Sequence, residues 1–352
     1  MAGVTYKCPS CGAYLKFNPD TQKWQCDFCS AEFDERELLA KADEYQQQAD
    51  AEHARQTPKG DEGAQVVFHC PSCGSEIITD ETTVATNCYY CHNPVVLQGK
   101  LTSDMKPELV LPFTVGKEKA VTQFMDWVKS KKFVPKGFFN EAQIKQMQGV
   151  YYPHFVTDCD VDATFDGEGR NVSVMDTPRE IVTSTKHYAV HRRADISFHN
   201  IIRPALKSAN RQLSDGIHPF PLDTMKSFSG AYLSGFLAER RDQTSDEATS
   251  DVEKELDGYL EPMLTESLQY NSHSGNAHGK ITKKKSRYVL LPSWILTYKG
   301  ANEKEPYYYA MNGVTGKVCG KLPVNAGKLN LVGLGIAAAC FAVCCVLCYF
   351  LF

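Results

Sequence analysis

The residues best suited to chemistry are eight cysteines in two sets of four. Cys8, Cys11, Cys26 and Cys29 follow the pattern C-x2-C-x14-C-x2-C, and Cys70, Cys73, Cys88 and Cys91 repeat it 62 residues further on. A CxxC turn brings two sulfurs to one ion, and four thiolates complete the tetrahedron that Zn2+ prefers. The glycine after the first pair of each set, Gly12 or Gly74, permits the positive φ that such a turn uses. The repeat runs past the ligands, since Lys7-Cys-Pro-Ser-Cys-Gly-Ala is answered by His69-Cys-Pro-Ser-Cys-Gly-Ser. We therefore expect two zinc ribbons with one structural Zn2+ each. A thioredoxin-like redox pair is the rival for any single CxxC, but four pairs at matched spacing without an evident βαβ context favour metal. Four protein ligands leave no open coordination position, so catalysis at the metal is not expected. His69 and His92 adjoin ligands of sites that are already complete.

Two further cysteines, Cys159 and Cys319, stand alone, and four more lie in the C-terminal tail. With ten scattered histidines a Cys/His nucleophile could form, which keeps a thiol-dependent enzyme as one alternative; lone cysteines are more often small buried hydrophobes. No GxSxG, HExxH or GxGxxG motif occurs. Gly275 to Lys280 falls one residue short of a phosphate loop and has Ile281 where a Mg2+-binding Ser or Thr belongs. We expect no enzymatic activity.

Charge bears on the partner. The formal net charge is −4, and eight thiolates on two Zn2+ would bring it to −8. Residues 66–99 carry Glu76, Asp80 and Glu81 with no Lys or Arg, and residues 4–34 hold three basic and four acidic side chains. Phosphate contacts dominate nucleic-acid affinity, so these ribbons suit protein partners better. A nucleic-acid-associated role in replication or transcription is the alternative reading.

The fold class expected is multidomain: two small four-cysteine zinc ribbons, an α+β domain and one C-terminal transmembrane helix. The boundaries are ribbon 1 at 1–34, a spacer helix and linker at 35–65, ribbon 2 at 66–100, the α+β domain at 101–328 and the membrane helix at 329–352. Asp34 and Glu37 cap the spacer, which carries Leu38, Ala42, Tyr45 and Ala49 on one stripe. Within the large domain, Ala120, Phe124, Trp127 and Val128 have helical spacing, and Asn140 to Gln143 opens a short second helix. Val161, Ala163 and Phe165 alternate as in a strand, the runs 180–198, 287–299 and 306–322 read as strands, and Asn312-Gly313 reads as the hairpin turn between the last two. A later helix is expected to bury Val252, Leu256, Tyr259, Leu260 and Met263, with a break or kink at Pro262. Residues 271–286, rich in Ser, Asn, Gly, His and Lys, read as a mobile loop. Val150-Tyr-Tyr-Pro-His-Phe155 is echoed by Val289-Leu-Leu-Pro-Ser-Trp294, either as equivalent strands or by chance.

The N-terminus has no basic region followed by an apolar run, so the bulk of the chain is expected in a reducing cytoplasm with its thiols free. Residues 331–352 carry no charge. As a helix they would span roughly 33 Å, enough for a bilayer core of about 30 Å. Lys317, Lys321 and Lys328 precede them and place the bulk on the cytoplasmic side of a cell membrane, with the C-terminus across it. Gly333, Ala337, Cys340, Cys344 and Cys348 share one stripe, suited to close approach by the helix of a membrane-protein partner.

Several segments carry a resemblance: tandem CPSCG ribbons, Leu111-Pro-Phe113, Gly149-Val-Tyr-Tyr-Pro153, Pro221-Leu-Asp223, Tyr232-Leu-Ser-Gly-Phe236, Tyr288-Val-Leu-Leu-Pro-Ser-Trp294 and Asn312-Gly-Val-Thr-Gly316-Lys317. Together they resemble a bacterial family of membrane-anchored proteins with zinc ribbons of the transcription-factor-IIB type, sometimes labelled primosomal-helicase-like for the ribbons alone. Members are similar to components encoded beside phage-shock-protein-A-like and stomatin/flotillin-like proteins in envelope-stress operons. The resemblance implies a non-enzymatic, membrane-tethered adaptor that recruits such proteins, and it carries over only the eight cysteines as site residues.

Overall fold

The computed structural model describes residues 6–38, 66–70, 76–79, 82–88, 93–97, 105–135, 144, 146–178, 180–298 and 307–351. The first cysteine set lies in a three-stranded antiparallel sheet of β1 (Leu15–Asn18), β2 (Lys23–Cys26) and β3 (Glu32–Phe33). A helical turn begins at residue 35, where the Asp34 N–H donates to Glu37 at 3.4 Å. The rest of the expected spacer lies outside the described residues. A two-stranded unit of β4 (Val66–His69) and β5 (Glu76–Thr79) follows. The strands after it, β6 (Thr83–Asn87) and β7 (Pro94–Val96), are built into the large sheet, so Cys70 and Cys88 adjoin strands of different sheets.

That large sheet has ten strands and is the main body of the molecule. It continues through β8 (Leu109–Val110), β9 (Gln148–Asp176), β10 (Ile181–Pro204), β11 (Lys226–Ser227), β12 (Leu237–Glu239), β13 (Ser272–Tyr298), β14 (Tyr307–Asn312) and β15 (Val318–Gly320). Helix α1 (Lys117–Lys129) buries Ala120, Phe124 and Val128 as their spacing predicts. The Asn140–Gln143 cap lies outside the described residues. The Asn312-Gly313 turn falls inside the last predicted strand run and divides it into β14 and β15.

β9, β10 and the first part of β13 form a three-stranded arm. From the Pro153–Leu290 pair to the Arg170–Ser272 pair the strands run side by side, and β9 and β10 continue alone to the Asp176–Ile181 pair. At about 3.3 Å per residue the arm has a contour of about 75 Å. The predicted mobile loop at 271–286 is therefore a strand, paired with β9 throughout. Its composition misleads for a packing reason. The residues facing inward are small for packing reasons: a Cβ on Gly279 would collide with Leu260 of the helix above, one on Gly275 with the Phe165 ring and the β9 backbone, and Ala277 is buried in the same cluster.

Helix α3 (Ser245–Thr265) lies on this arm and opens with a capping box between Thr244 and Glu247. It buries Val252, Leu256, Leu260 and Leu264 against Val161, Ala163 and Phe165, and Ala248 in the main core. Tyr259 and Met263 were expected on that face but are 57% and 50% exposed. The apolar residues that pack follow a four-residue step from 248 to 264, with Thr249 and Thr265 buried beside them. Pro262 does not break the helix, which runs on to Thr265.

The echo between residues 150 and 289 is structural. The two segments pair with one another in antiparallel register, Val150 opposite Ser293 and His154 opposite Val289, with Tyr152 and Leu291 at the centre. Each flanking pairing has a counterpart. Leu237 and Ala238 of β12 run parallel to Val150 and Tyr151, as Leu109 and Val110 of β8 do to Val289 and Leu290. The hairpin partners begin at equivalent places, Pro204 opposite His154 and Asn312 opposite Ser293. A local two-fold axis thus relates β8-α1-β9-β10 to β12-α3-β13-β14.

Helix α4 (Ala326–Leu351) closes the chain, beginning three residues before the expected boundary. Its segment Ala326–Leu347 has a mean hydropathy of 2.3 and buries none of its residues against the rest of the protein. It is long and apolar enough to cross a bilayer.

Candidate metal centre

The first four cysteines converge. Their sulfurs all lie within 4.8 Å of one another, with Cys8 to Cys29 at 3.6 Å and Cys11 to Cys26 at 3.5 Å. Two turns of the same design bring them together. In the first, the Cys8 N–H donates to the Ala13 carbonyl at 2.5 Å and the Gly12 N–H to the Cys8 carbonyl at 2.8 Å. In the second, the Cys26 N–H donates to Ala31 at 3.0 Å and the Ser30 N–H to Cys26 at 2.9 Å. The residue after each turn's second cysteine adopts a positive φ, 76° at Gly12 and 58° at Ser30. The glycine expectation therefore holds at the first turn, while a serine takes the same strained conformation at the second.

Burial raises the Cys8 thiol pKa, but N–H donors from Ser10 and Cys11 outweigh it and bring the group down to about 7. The Cys29 and Phe28 N–H groups likewise lower Cys26. Cys11 is pushed up to about 12: its hydrogen bond from Ala13 lowers it, but desolvation and the three neighbouring sulfurs raise it further. Four adjacent thiols resist joint ionisation unless a cation lies among them, and this donor set is suited to a thiophilic metal ion.

The ribbon is welded to the large domain. Trp24, between the two cysteine pairs, is fully buried and donates from its indole nitrogen to the Ala231 carbonyl at 2.9 Å. Phe17, Trp24 and Tyr232 form a mutual ring cluster with centroids 5.1 to 5.3 Å apart. The Tyr232 hydroxyl donates to Glu35 at 2.6 Å, Ser234 to the Leu15 carbonyl at 2.5 Å, and the Gln22 side chain to the Phe113 carbonyl at 2.7 Å. Sequence reasoning passed over these residues. Their one signal is a tryptophan in a module whose own core is too small to hold it.

Of the second set, Cys70 and Cys88 are described. Both are buried, in one cluster with Val95 and Leu97. Cys73 and Cys91 lie outside the described residues. Of the lone cysteines, Cys159 is buried beneath α3, where burial first, then Asp160 and Asp158, raise its pKa and oppose the thiolate. Cys319 is half-buried, with its sulfur 3.7 Å from the Gln212 carbonyl.

No family model matches the chain, and no solved structure does. Over 342 residues it is 30% identical to a Bacillus subtilis (strain 168) protein described as uncharacterized protein YdjG, covering 96% of this chain and 95% of the relative. The chain belongs to the YdjG family. The YdjG family relationship extends over nearly the full length of both proteins.

Proposed function

We propose that this protein is a non-enzymatic, membrane-tethered zinc adaptor, with both cysteine sets holding structural Zn2+ and α4 as a single-pass anchor. At a Zn–S distance of about 2.3 Å a tetrahedron has edges of about 3.8 Å, close to the sulfur separations in the first set. The ligand count closes the coordination sphere, which suits a structural role. For the second set, the Cys88 N–H donates to the Asn93 carbonyl at 2.9 Å. This repeats the five-residue closure of the Cys8 and Cys26 turns and supports Cys70, Cys73, Cys88 and Cys91 as a second zinc site.

The observation that carries the adaptor reading is the uncovered apolar tip of the arm. Val174, Met175 and Ile181 are 63%, 67% and 70% exposed at the end of the β9–β10 pair opposite the His154–Pro204 pair. Exposed apolar patches rimmed by polar residues mark interaction sites. In this reading α4 holds the base at the cytoplasmic face of the cell membrane and pairs with a partner helix, while the arm reaches into the cytoplasm. The soluble partners are phage-shock-protein-A-like and stomatin/flotillin-like envelope-stress proteins.

The test is co-purification of the full chain from mild detergent with identification by mass spectrometry. A variant with Val174→Ser, Met175→Ser and Ile181→Ser is run alongside. Recovery of those stress proteins with wild type and their loss with the variant supports the reading. Recovery of nucleic acid or replication proteins instead overturns it.

A further inference from the structure

At the base of the arm, beside the local two-fold axis, a cavity of about 430 Å3 opens between β9, β13, β14 and the short helix α2 (Arg211–Gly216). Small-molecule pockets have volumes of about 300 to 1,000 Å3, so this one is of ligand size. Its wall is apolar, with Leu206, Leu213, Ile217, Ile295 and Ala310 contributing. Among the described residues, none that lines it is Asp, Glu, Lys or Arg.

Polar groups interrupt that wall, among them buried Ser293 and a pair formed by buried His154 with half-buried Ser214. His154 is 4% exposed, with Nδ1 3.0 Å from the Tyr152 carbonyl and Nε2 3.1 Å from the Ser214 hydroxyl. A carbonyl can only accept, so the imidazole proton sits on Nδ1, Nε2 accepts, and the Ser214 hydroxyl donates to it. The Ser214 oxygen then keeps its lone pairs, and the pair offers an acceptor without net charge. Burial lowers the His154 pKa to about 4, which keeps the imidazole neutral near pH 7.

The cavity's position points to the source of a ligand. Ala310 of its wall pairs with Cys319 on β15, and that strand ends at Gly320, five residues before α4 begins. Five residues reach less than about 20 Å, so the cavity lies close to where the chain meets the bilayer. We propose that it binds a neutral single-chain amphiphile drawn from the membrane, its hydroxylated head donating to Ser214 and its chain lying along the Leu213–Ile217–Ile295 wall. The membrane source rests on the tethered reading above; the cavity and its neutral polar pair do not.

The experiment uses the full chain in phosphatidylcholine nanodiscs with a twelve-carbon monoacylglycerol bearing a diazirine in its chain. Dodecyl sulfonate and dodecyl trimethylammonium analogues with the same diazirine serve as permanently charged comparisons. After photolysis, labelled peptides are mapped by mass spectrometry. The expected result is labelling of residues 206–217, 293–295 and 308–310 by the glycerol ester and far less by either charged analogue. Ala209→Trp and, independently, Ser208→Trp stand at the rim outside the packed core and should abolish it. Loss of one hydrogen bond in Ser214→Ala should weaken labelling about two- to tenfold. Labelling confined to α4, equal labelling by all three head groups, or labelling unchanged in both rim variants would overturn the proposal. Labelling of α4 is read in the same samples. An unlabelled α4 with a labelled cavity counts against the tether and leaves the cavity assignment standing.

Discussion

The indole nitrogen of Trp24 and the carbonyl oxygen of Ala231 are 2.9 Å apart across the seam between the cysteine-bearing ribbon and the large sheet domain. Both residues are fully buried, and they are 207 positions apart in sequence. The ribbon is thus part of one core that also holds Phe113, Tyr151 and Trp294. The candidate metal site at one end of the chain is therefore packed against the domain that carries the arm.

Trp24→Phe keeps much of the ring volume and removes the donor, leaving the Ala231 carbonyl buried and unpaired. The expected loss is about 1 to 3 kcal/mol. Trp24→Ala adds a cavity and should lose about 3 to 5 kcal/mol. Chemical denaturation checks both, and equal stability of the two variants would contradict the packing described.

Metal content should be two zinc ions per chain by elemental analysis, one in Cys26→Ser and one in Cys88→Ser. Because folding and metal binding are linked, chelation should expose residues 6–38 to protease while the paired arm strands stay protected. A wild-type chain holding one ion would remove the second site.

The C-terminal helix is tested by truncation after Val324. The shortened chain should move from the carbonate-washed membrane pellet to the soluble fraction while keeping its zinc. Retention in the pellet would show that another surface holds the membrane.

Acid should destabilise the fold through His154. Its folded pKa of about 4 lies below the usual value of 6.5, because burial opposes the charged form and His218 repels it, while the Tyr152 carbonyl and Asp215 only partly compensate. The folded state therefore binds fewer protons than the unfolded chain. Stability is complete above about pH 6.5 and falls as pH drops to about 4, by about 3 kcal/mol at about 1.4 kcal/mol per unit. Arg203 and Lys317 stand near the neighbouring His218, whose pKa burial also lowers. The measurement is the pH dependence of unfolding in wild type minus that in His154→Gln, which cancels loss of metal at low pH. A difference that stays flat from pH 7 to 4 would contradict a buried neutral imidazole.

The sequence alone determined the features that depend on local spacing. Ligand positions in a CxxC turn are set by a few consecutive residues, so Cys8, Cys11, Cys26 and Cys29 were legible before any fold was known. The same holds for the charge-free terminal run, whose length and composition decide its fitness for a bilayer whatever the rest of the chain does, and for α1, whose buried face follows a helical period. What tertiary structure decided was set by partners distant in the chain. Residues 271–286 look like a loop from their Ser, Asn, Gly, His and Lys content, and only distant partners, Leu260 of α3 over Gly279 and the Phe165 ring over Gly275, explain why a strand carries glycines there. Tyr259 and Met263 are apolar at helical spacing yet exposed, since the apolar residues of α3 that pack follow the four-residue step from 248 to 264. The pairing of Tyr152 with Leu291, the seating of Trp24 on Ala231 and the His154–Ser214 pair in its cavity all join segments at least 60 residues apart. No local pattern encodes such contacts; they arise when burial of one core brings those segments together.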